Sequence, residues 1–378
     1  MRKVCVVSGS RADLGLLRWL MRELRAAPDA RLQIAITGQL LDPARRDETA
    51  ELAADGFAVD AAVPSLVVGG DGASTARSMG LGLLGFADAF ARLRPDIVVV
   101  LGDRFEILAA VQAAYAMRVP VAHLHGGEVT NGALDEGFRH AITKMSALHF
   151  PAARDYAERL RRMGEPAERI HLFGAIGVDA VRAAVERAPA RNAARRPYAL
   201  VTLHPETIGG PSPEALAAAV LGALEARADL DAVFTGVNSD QGGGLIAAAI
   251  AAYVAQAPGR ARYVESLGQD GYIAAMIGAA CVLGNSSSGL IEAPAVPIPT
   301  VNVGGRQDGR LKAPSVVDAA ASVASVAAAL ARALDPAFRK ALRAQDNPYG
   351  AGDVSARIAR TLLSADLAAL SRKVFADA

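Results

Sequence analysis

The chain has 378 residues, a formal net charge of +1 and a hydrophobic fraction of 52%. This length favours two domains over one, and the balanced charge gives no electrostatic reason to expect nucleic acid or an acidic membrane as a partner. Cys5 and Cys281 both fall in predicted strands, which predicts buried free thiols in a reducing compartment. Neither a signal peptide nor a membrane-spanning stretch is visible, so we expect a soluble cytoplasmic protein.

Strand and helix signals alternate from the first residue, which predicts parallel sheets built from β-α-β units. The predicted strands are Lys3–Ser8, Leu32–Thr37, Phe57–Val63, Ile97–Leu101, Val119–His125, Leu148–Phe150, Ile170–Phe173, Tyr198–Leu203, Ala232–Thr235, Ala261–Val264, Cys281–Leu283 and Pro299–Val303. The main predicted helices are Asp13–Ala26, Arg45–Ala54, Ala73–Leu93, Ala152–Met163, Pro213–Ala226, Leu245–Ala257 and Gln269–Ala280. From Val316 onward we expect helix.

The polar, basic and proline-bounded stretch 188–197 interrupts this alternation, and we interpret it as a linker. The expected fold is therefore α/β, with two doubly wound Rossmann-like domains, 1–187 and 198–350, facing each other across a cleft. A helical tail, 351–378, is expected to pack back on the N-terminal domain.

Acidic residues stand where two strands of the first domain end. Asp103 follows the apolar strand Ile97–Leu101, Glu128 follows two glycines after the next strand, and Glu136 opens the following helix. Because ligands of open parallel sheets bind beyond the carboxyl ends of the strands, these three carboxylates are expected to converge. Such a cluster predicts proton-transfer chemistry. We expect neither Asp103 nor Glu128 to lie in a core.

Basic residues accompany the cluster. The Asp103-Arg104 pair and the two histidines each allow a second interpretation. Arg104, Arg139 and His125 lie close to the acids in sequence. The pair Asp103-Arg104 could be a ligand pair or a capped helix start. His123 and His125 are two residues apart on a strand and could bind zinc or iron together with Glu128. No fourth ligand is evident and one histidine could simply be packed, so we predict no metal.

The first turn, SGSRAD, follows a strand and opens a helix, which suits an anion at the helix N-terminus. Arg11 favours a phosphate there, whereas an ordinary turn capped by Asp13 is the alternative. The turn lacks the GxGxxG spacing, so a dinucleotide cofactor is not predicted.

The second domain carries candidate phosphate ligands. Ser286 and Ser287 lie in a hydroxyl-rich loop between a strand and a helix, and Glu292, one turn inside, could accept two ribose hydroxyls. A well-capped helix is the alternative. His204 ends the first strand of this domain and could reach a bound group or be a turn residue. The glycine-rich loop containing Arg306 could hold phosphate or be a surface loop. A serine hydrolase is disfavoured, since the serine loop is not GxSxG and no histidine follows it.

These pieces resemble the hydrolysing UDP-N-acetylglucosamine 2-epimerases, the branch that makes free N-acetylmannosamine or a related amino sugar for nonulosonates such as sialic acid. The matching stretches are SGSRADLGLL, LGDRFE, HLHGGEVTNGALDEGFRHAITKMSALHF, TLHPET, LGNSSSGLIEAP and NVGGRQDGR. They occur in the family's order and spread over most of the first 312 residues. One departure is Gly305, which stands where Asp or Thr is more usual.

The resemblance implies a glycosyltransferase-B-like architecture, a nucleotide held mainly by the second domain, no cofactor and a homodimer or higher homo-oligomer. It implies proton transfer around sugar C2 and C3 by Asp103, Glu128 and Glu136, and contact with the diphosphate or leaving group by His204. The substrate- and nucleotide-binding residues that it implies are Arg11, Arg104, Asn238, Ser286, Ser287, Glu292 and Arg306.

The implied reaction eliminates the nucleoside diphosphate from a UDP- or GDP-linked acetamido sugar and hydrates the resulting glycal to a free 2-epimerised sugar. Alternatives are the nonhydrolysing 2-epimerases, a glycosyltransferase of the same shape, and a non-catalytic nucleotide-sugar binding protein. The last is disfavoured because uncompensated acids beside a diphosphate would weaken its binding.

Overall fold

The computed structural model describes residues 1–42, 49–67, 69, 71–130, 134–187, 196–206, 209–237, 242–342, 346–374 and 376. Contacts divide the chain into two compact units. Unit 1 comprises Met1–Glu128, Leu134–Asp179 and Gly352–Ala378, and unit 2 comprises Val129–Ala133 and Ala180–Ala351. The predicted linker lies mostly outside the described residues, so the domain limits at 187, 198 and 350 stay predictions.

Unit 1 is built on a parallel sheet whose strands are β1 (Arg2–Ser8), β2 (Ala30–Thr37), β3 (Ala61–Val63), β4 (Ile97–Leu101), β5 (Val121–Leu124) and β6 (Leu148–Phe150). Their order is β3-β2-β1-β4-β5-β6. All five residues of β4 are buried, as expected for a central strand covered on both faces. Helices accompany the strands: α1 (Arg11–Ala26), α2 (Thr49–Ala54), α3 (Gly72–Leu93), α4 (Phe105–Ala116), α5 (Asp135–Met145), α6 (Arg154–Arg162) and α7 (Gly177–Arg187).

Unit 2 repeats this plan with strands β7 (Tyr198–Thr202), β8 (Asp231–Thr235), β9 (Ala261–Val264), β10 (Cys281–Gly284), β11 (Thr300–Val303) and β12 (Val316–Ala319). They form a second parallel sheet in the order β12-β11-β10-β7-β8-β9. Its helices are α8 (Pro213–Glu225), α9 (Gly243–Gln256), α10 (Gly268–Gly278), α11 (Ser288–Ile291), α12 (Val323–Leu334) and α13 (Pro336–Ala341). The prediction of two Rossmann-like α/β domains is confirmed.

Two predicted elements are wrong. The chain at Ile170–Phe173 forms no strand: after one bridge between Ile170 and His149, the rings of His171 and Phe173 pack on Phe150, with centroids 5.6 and 5.9 Å away. Conversely, β12 replaces the helix expected from Val316. Its Asp318 accepts hydrogen bonds from Asn302 and Lys312, which ties this edge segment to its neighbours.

Cys5 and Cys281 are buried and free, as predicted. Burial raises the pKa of both thiols, that of Cys281 to about 12. None of the helices in the described part of the chain combines the length and hydrophobicity that a bilayer crossing requires.

The C-terminal helices α14 (Val354–Ser364) and α15 (Leu367–Leu370) belong to unit 1. Val354, Ile358 and Leu362 join the core that contains the buried face of α1. Both carboxylate oxygens of Asp179 accept hydrogen bonds from the first backbone amides of α14, at 3.0 and 2.6 Å. The end of the chain is thus fixed by apolar packing and by a cap from a distant residue.

A buried carboxylate also anchors the last described residues. Glu165, 1% exposed, accepts hydrogen bonds from Lys144 Nζ at 2.6 Å and from Lys373 Nζ, and lies 2.8 Å from His149 Nε2. Lys373 also donates to the carbonyl of Ser146 at 2.6 Å. Burial alone would raise the pKa of Glu165, but these donors outweigh it and lower the pKa to about 2.

We expect Glu165→Gln to lower the free energy of unfolding by about 3 kcal/mol at pH 7, because two ammonium groups lose their carboxylate. The folded-state pKa of Glu165 is about 2 and its ordinary value 4.5, so the stabilisation is present above pH 4.5 and is lost as the pH falls toward 2. Urea unfolding across this range measures it. Glu168→Gln, at an exposed position on the same segment, is the control, and equal stability of Glu165→Gln and wild type at pH 7 would contradict the prediction.

Candidate active site

One buried guanidinium gathers the predicted acids of unit 1. Arg139 on α5 is 1% exposed; it donates to Asp103, which follows β4, and to Glu136 Oε2 at 2.5 Å. The same side chain donates to the backbone carbonyl of Glu128 at 3.1 Å. Glu136 in turn lies 2.8 Å from Nε2 of His140, one turn along the helix. The three carboxylate residues named from the sequence therefore meet around Arg139.

Glu128 differs from the expectation that it lies outside a core. Glu128 is 3% exposed, and its Oε1 lies 2.8 Å from Nδ1 of His125. The two preceding glycines explain this burial, since a Cβ at Gly127 would lie 2.5 Å from the carbonyl oxygen of Tyr156. Asp103, with a side chain 23% exposed, is not in a core.

His123 is a packed residue. Nε2 lies 2.8 Å from the carbonyl of Gly102, and Nδ1 lies 3.1 Å from Thr143 Oγ1. Burial lowers its pKa to about 3. Both ring nitrogens are thus engaged within the protein, so His123 could ligate a metal only by breaking one of these contacts.

Arg104 is held by a carboxylate that the sequence reading missed. Its Nε donates to Glu106 Oε1 at 2.5 Å, and Glu106 is 1% exposed. The Glu106 side chain packs on the backbone of the β1–α1 turn: a Cβ at Gly9 would lie 2.5 Å from Glu106 Cγ. Gly9, in the SGSRAD turn, is the sequence feature that could have indicated such a close neighbour, because glycine has no side chain to obstruct it.

The SGSRAD turn is capped by Ser10 and not by Asp13. Ser10 Oγ accepts from the Asp13 amide at 3.2 Å and donates to Asp13 Oδ2 at 2.7 Å. Arg11 is exposed at the first position of α1. Burial raises the pKa of Asp13 to about 6, and the Glu106 carboxylate adds to this, while the Ser10 hydroxyl and the Arg104 guanidinium oppose it.

In unit 2, Asn285 joins three loops and is a residue that the sequence reading missed. Its buried side chain accepts from the backbone amide of His204 and donates to the His204 carbonyl, both at 2.8 Å. Its own carbonyl accepts from Arg306 Nη1 at 3.2 Å and from Gln307 Nε2 at 2.8 Å. The ends of β7, β10 and β11 are thereby linked, and the only sequence signal was an amide side chain directly after a strand.

His204 is partly buried beside Arg306. Burial and the positive guanidinium both lower its pKa, to about 3. At neutral pH its imidazole is therefore uncharged, with one ring nitrogen that donates a hydrogen bond and one that accepts.

The serine loop has an organised hydroxyl network. Ser286 Oγ lies 3.0 Å from Ser288 Oγ, which lies 2.6 Å from the hydroxyl of Tyr272. Ser287 is the N-cap of α11 but makes no side-chain capping bond. Ser286 Oγ accepts from the Ser288 amide at 3.5 Å, so the alternative of a well-capped helix gains a bond from Ser286 and none from Ser287. Glu292 follows directly at the end of α11, partly exposed.

The glycine-rich loop with Arg306 is held through its backbone. Glu206 accepts a hydrogen bond from the Gly305 amide at 3.0 Å, and a Cβ at Gly304 would lie 2.2 Å from the Glu206 carboxylate. Gly304 also has a φ of +80°, a conformation that favours glycine. Asn238 lies outside the described residues.

Comparison with known proteins identifies the family. A family model described as UDP-N-acetylglucosamine 2-epimerase matches residues 22–363. The chain belongs to this epimerase family. It is 35% identical over 324 residues to the GDP/UDP-N,N'-diacetylbacillosamine 2-epimerase (hydrolyzing) of Campylobacter jejuni, covering 84% of each chain. It is 32% identical over 358 residues to the polysialic acid biosynthesis protein P7 of Escherichia coli, covering 92% of this chain and 90% of that one.

The fold comparison agrees with this assignment. The crystal structure of UDP-GlcNAc 2-epimerase from Neisseria meningitidis bound to UDP-GlcNAc matches with a TM-score of 0.83 at 18% identity, covering 96% of this chain and 100% of that one. The predicted resemblance to the hydrolysing 2-epimerases is confirmed. Within this family the roles of the individual site residues stay predictions.

We expect the Asp13→Asn variant to become more stable than wild type as the pH rises, because the wild type loses stability and the variant does not. The pKa of Asp13 is raised from 3.8 to about 6, so the folded wild type holds a proton that the unfolded chain releases, and its stability falls between these pH values. The asparagine variant lacks this loss, and its Tm advantage should grow by on the order of 2 to 4 °C between pH 4 and 7. Scanning calorimetry measures this advantage, with exposed Asp29→Asn as control. A difference that is constant with pH would contradict the assignment.

Proposed function

We propose that this epimerase-family protein is a hydrolysing nucleotide-sugar 2-epimerase. It would eliminate the nucleoside diphosphate from a UDP- or GDP-linked acetamido sugar and release the free, 2-epimerised sugar. The observation that carries the proposal is the arrangement around the buried Arg139, which pairs with the carboxylates of Asp103 and Glu136 and donates to the backbone carbonyl of Glu128. Carboxylates can accept and return protons, whereas a site that only bound an anionic nucleotide would gain nothing from them.

The nucleoside diphosphate is assigned to unit 2. Ser286 and Ser287 would bind phosphate oxygens, Arg306 would neutralise them, and Glu292 would accept the ribose hydroxyls. His204, uncharged and fixed through its backbone by Asn285, would donate a hydrogen bond to the diphosphate. Arg11 is assigned to the nucleotide side of the substrate, and Arg104 also contacts the substrate. Asn238, which lies outside the described residues, is likewise assigned to the ligand.

The reaction begins with removal of the proton at sugar C2 and departure of the diphosphate oxygen from C1. A glycal-type intermediate with a C1–C2 double bond results. Water then adds at C1, and C2 is protonated from the opposite face. The unit 1 cluster would serve these proton transfers, and Arg104, held by Glu106 at 2.5 Å, would orient the sugar. No redox cofactor enters the scheme.

The names of the relatives support a substrate range. The Campylobacter jejuni relative is named for GDP- or UDP-linked N,N'-diacetylbacillosamine, and the Neisseria meningitidis structure contains UDP-GlcNAc. We propose a UDP- or GDP-linked acetamido sugar of this kind, with N-acetylmannosamine or a related sugar as product. The Escherichia coli relative supports a place in the biosynthesis of sialic-acid-like nonulosonates.

We further propose a cytoplasmic homodimer or higher homo-oligomer. The neighbouring helices α3 and α4 of unit 1 leave large apolar side chains in solvent, which supports self-association. The most exposed of these are Leu84, Tyr115 and Leu81.

The function is tested by incubating the protein in deuterated water with a panel of UDP- and GDP-linked acetamido sugars. We expect proton NMR to show a free sugar with inverted configuration and solvent deuterium at C2. Wild-type product that stays nucleotide-linked at equilibrium would instead assign the chain to nonhydrolysing epimerases. Transfer of the sugar to an acceptor with the glycosidic bond retained would indicate a glycosyltransferase.

Asp103→Asn and Glu128→Gln test the carboxylate cluster. Each keeps the size of the side chain but removes its charge, and we expect turnover to fall by roughly 10²–10⁴-fold. Affinity for the nucleoside diphosphate, measured by calorimetry, should hold, because its ligands are assigned to unit 2. Since Glu128 is buried and Asp103 pairs with the buried Arg139, both variants are also checked by melting temperature. Near-wild-type turnover in either variant would remove that residue from the set.

A further inference from the structure

His125 has an unusual backbone conformation for its place in the fold. It follows β5 directly and its amide donates to the carbonyl of Phe150 at 3.0 Å, yet its φ is +63°. Among the other non-glycine residues with positive φ in the described ranges, Arg94 and Arg118 follow helix C-termini, where this conformation is ordinary, and Asp353 precedes α14. At a strand end beside charged groups, a left-handed residue indicates a functional constraint.

Close contacts surround the three residues that follow His125. A Cβ at Gly126 would lie 2.9 Å from Nδ1 of His123, and one at Gly127 would lie 2.5 Å from the Tyr156 carbonyl oxygen. Arg159 donates to the Gly127 carbonyl, and Arg139 donates to that of Glu128. The loop after β5 therefore has little freedom, and the His125 side chain is held where the loop places it.

The imidazole is arranged as one half of a histidine–carboxylate pair. His125 Nδ1 lies 2.8 Å from Glu128 Oε1. An ionised carboxylate can only accept a hydrogen bond, so Nδ1 carries the hydrogen and Nε2 is the ring nitrogen that can carry the lone pair. Nε2 is buried and has no hydrogen-bond partner among the residues that the structure describes. His123, by contrast, has both ring nitrogens engaged.

We propose that His125 is the catalytic residue through which Glu128 acts, and that Glu128 is a positioning residue. This inference rests on the proposed function. In the elimination step, the Nε2 lone pair takes the C2 proton, and the electrons of the C–H bond form the C1–C2 double bond. The C1–O bond breaks, and its electron pair leaves with the nucleoside diphosphate. The resulting imidazolium is stabilised through Nδ1 by the Glu128 carboxylate.

The decisive variant is His125→Gly, assayed with and without added imidazole. Glycine adopts positive φ readily, so the variant relieves backbone strain and leaves a space the size of the lost ring. We expect turnover to fall by roughly 10²–10⁴-fold, with nucleoside diphosphate affinity within about threefold of wild type. Free imidazole should raise turnover of the variant at least about tenfold, because it can fill the space and supply the missing lone pair.

Two control variants test whether imidazole restores turnover specifically by replacing the His125 ring. Asp103→Asn lacks a carboxylate and not a ring, so imidazole should leave its turnover unchanged; an equal increase there would overturn the proposal. His125→Asn is the second variant, since asparagine tolerates the left-handed region but cannot accept the proton at this position. It should lose turnover to the same extent without gaining from imidazole.

Near-wild-type turnover in either His125 variant overturns the inference, as does a folded His125→Gly whose lost turnover imidazole does not restore. Failure of the inference is distinguishable from failure of the proposed function. If wild type releases no free deuterated sugar from the panel, the function fails before the variants are compared. If wild type does so and His125→Gly does so equally fast, only the role of His125 fails.

Discussion

The buried guanidinium of Arg139 is the constraint on which the unit 1 site depends. A charge that is 1% exposed is costly unless it is paired and hydrogen-bonded, and here its partners come from separate parts of the chain. Asp103 follows β4, the carbonyl of Glu128 follows β5, and Glu136 lies one turn before Arg139 on α5. The compensation of one charge thus fixes the positions of two strand ends and a helix.

In unit 2 an uncharged residue, Asn285, fixes the positions of the strand ends. Asn285 offers a donor and an acceptor to the backbone of His204 and a carbonyl to Arg306 and Gln307. A neutral amide suits a loop assigned to phosphate, because it organises the backbone without adding negative charge beside an anion. The two units therefore fix their loops by different means that match the chemistry assigned to each.

The sequence was sufficient for the parts of the site that follow from strand order. The apolar run of β4 and the acid after it were visible, and parallel strands bring their carboxyl ends to one edge. Glu106 was not found, because its contact with Arg104 depends on how closely α4 approaches Gly9. The strand β12 was missed, since its four residues precede a helix and its pairing with β11 leaves no mark in its own short sequence.

The pairing of His125 with Glu128 could not be predicted from the spacing of residues along the sequence. Alternation along a strand places His123 and His125 on the same face, which suggested a shared role. The strand ends at Leu124, however, and the positive φ of the next residue ends the alternation. One histidine is then packed between Gly102 and Thr143, and the other is turned onto a carboxylate three residues ahead. A single left-handed residue, which no periodicity reveals, separates a histidine with both ring nitrogens engaged from one whose Nε2 has no hydrogen-bond partner among the described residues.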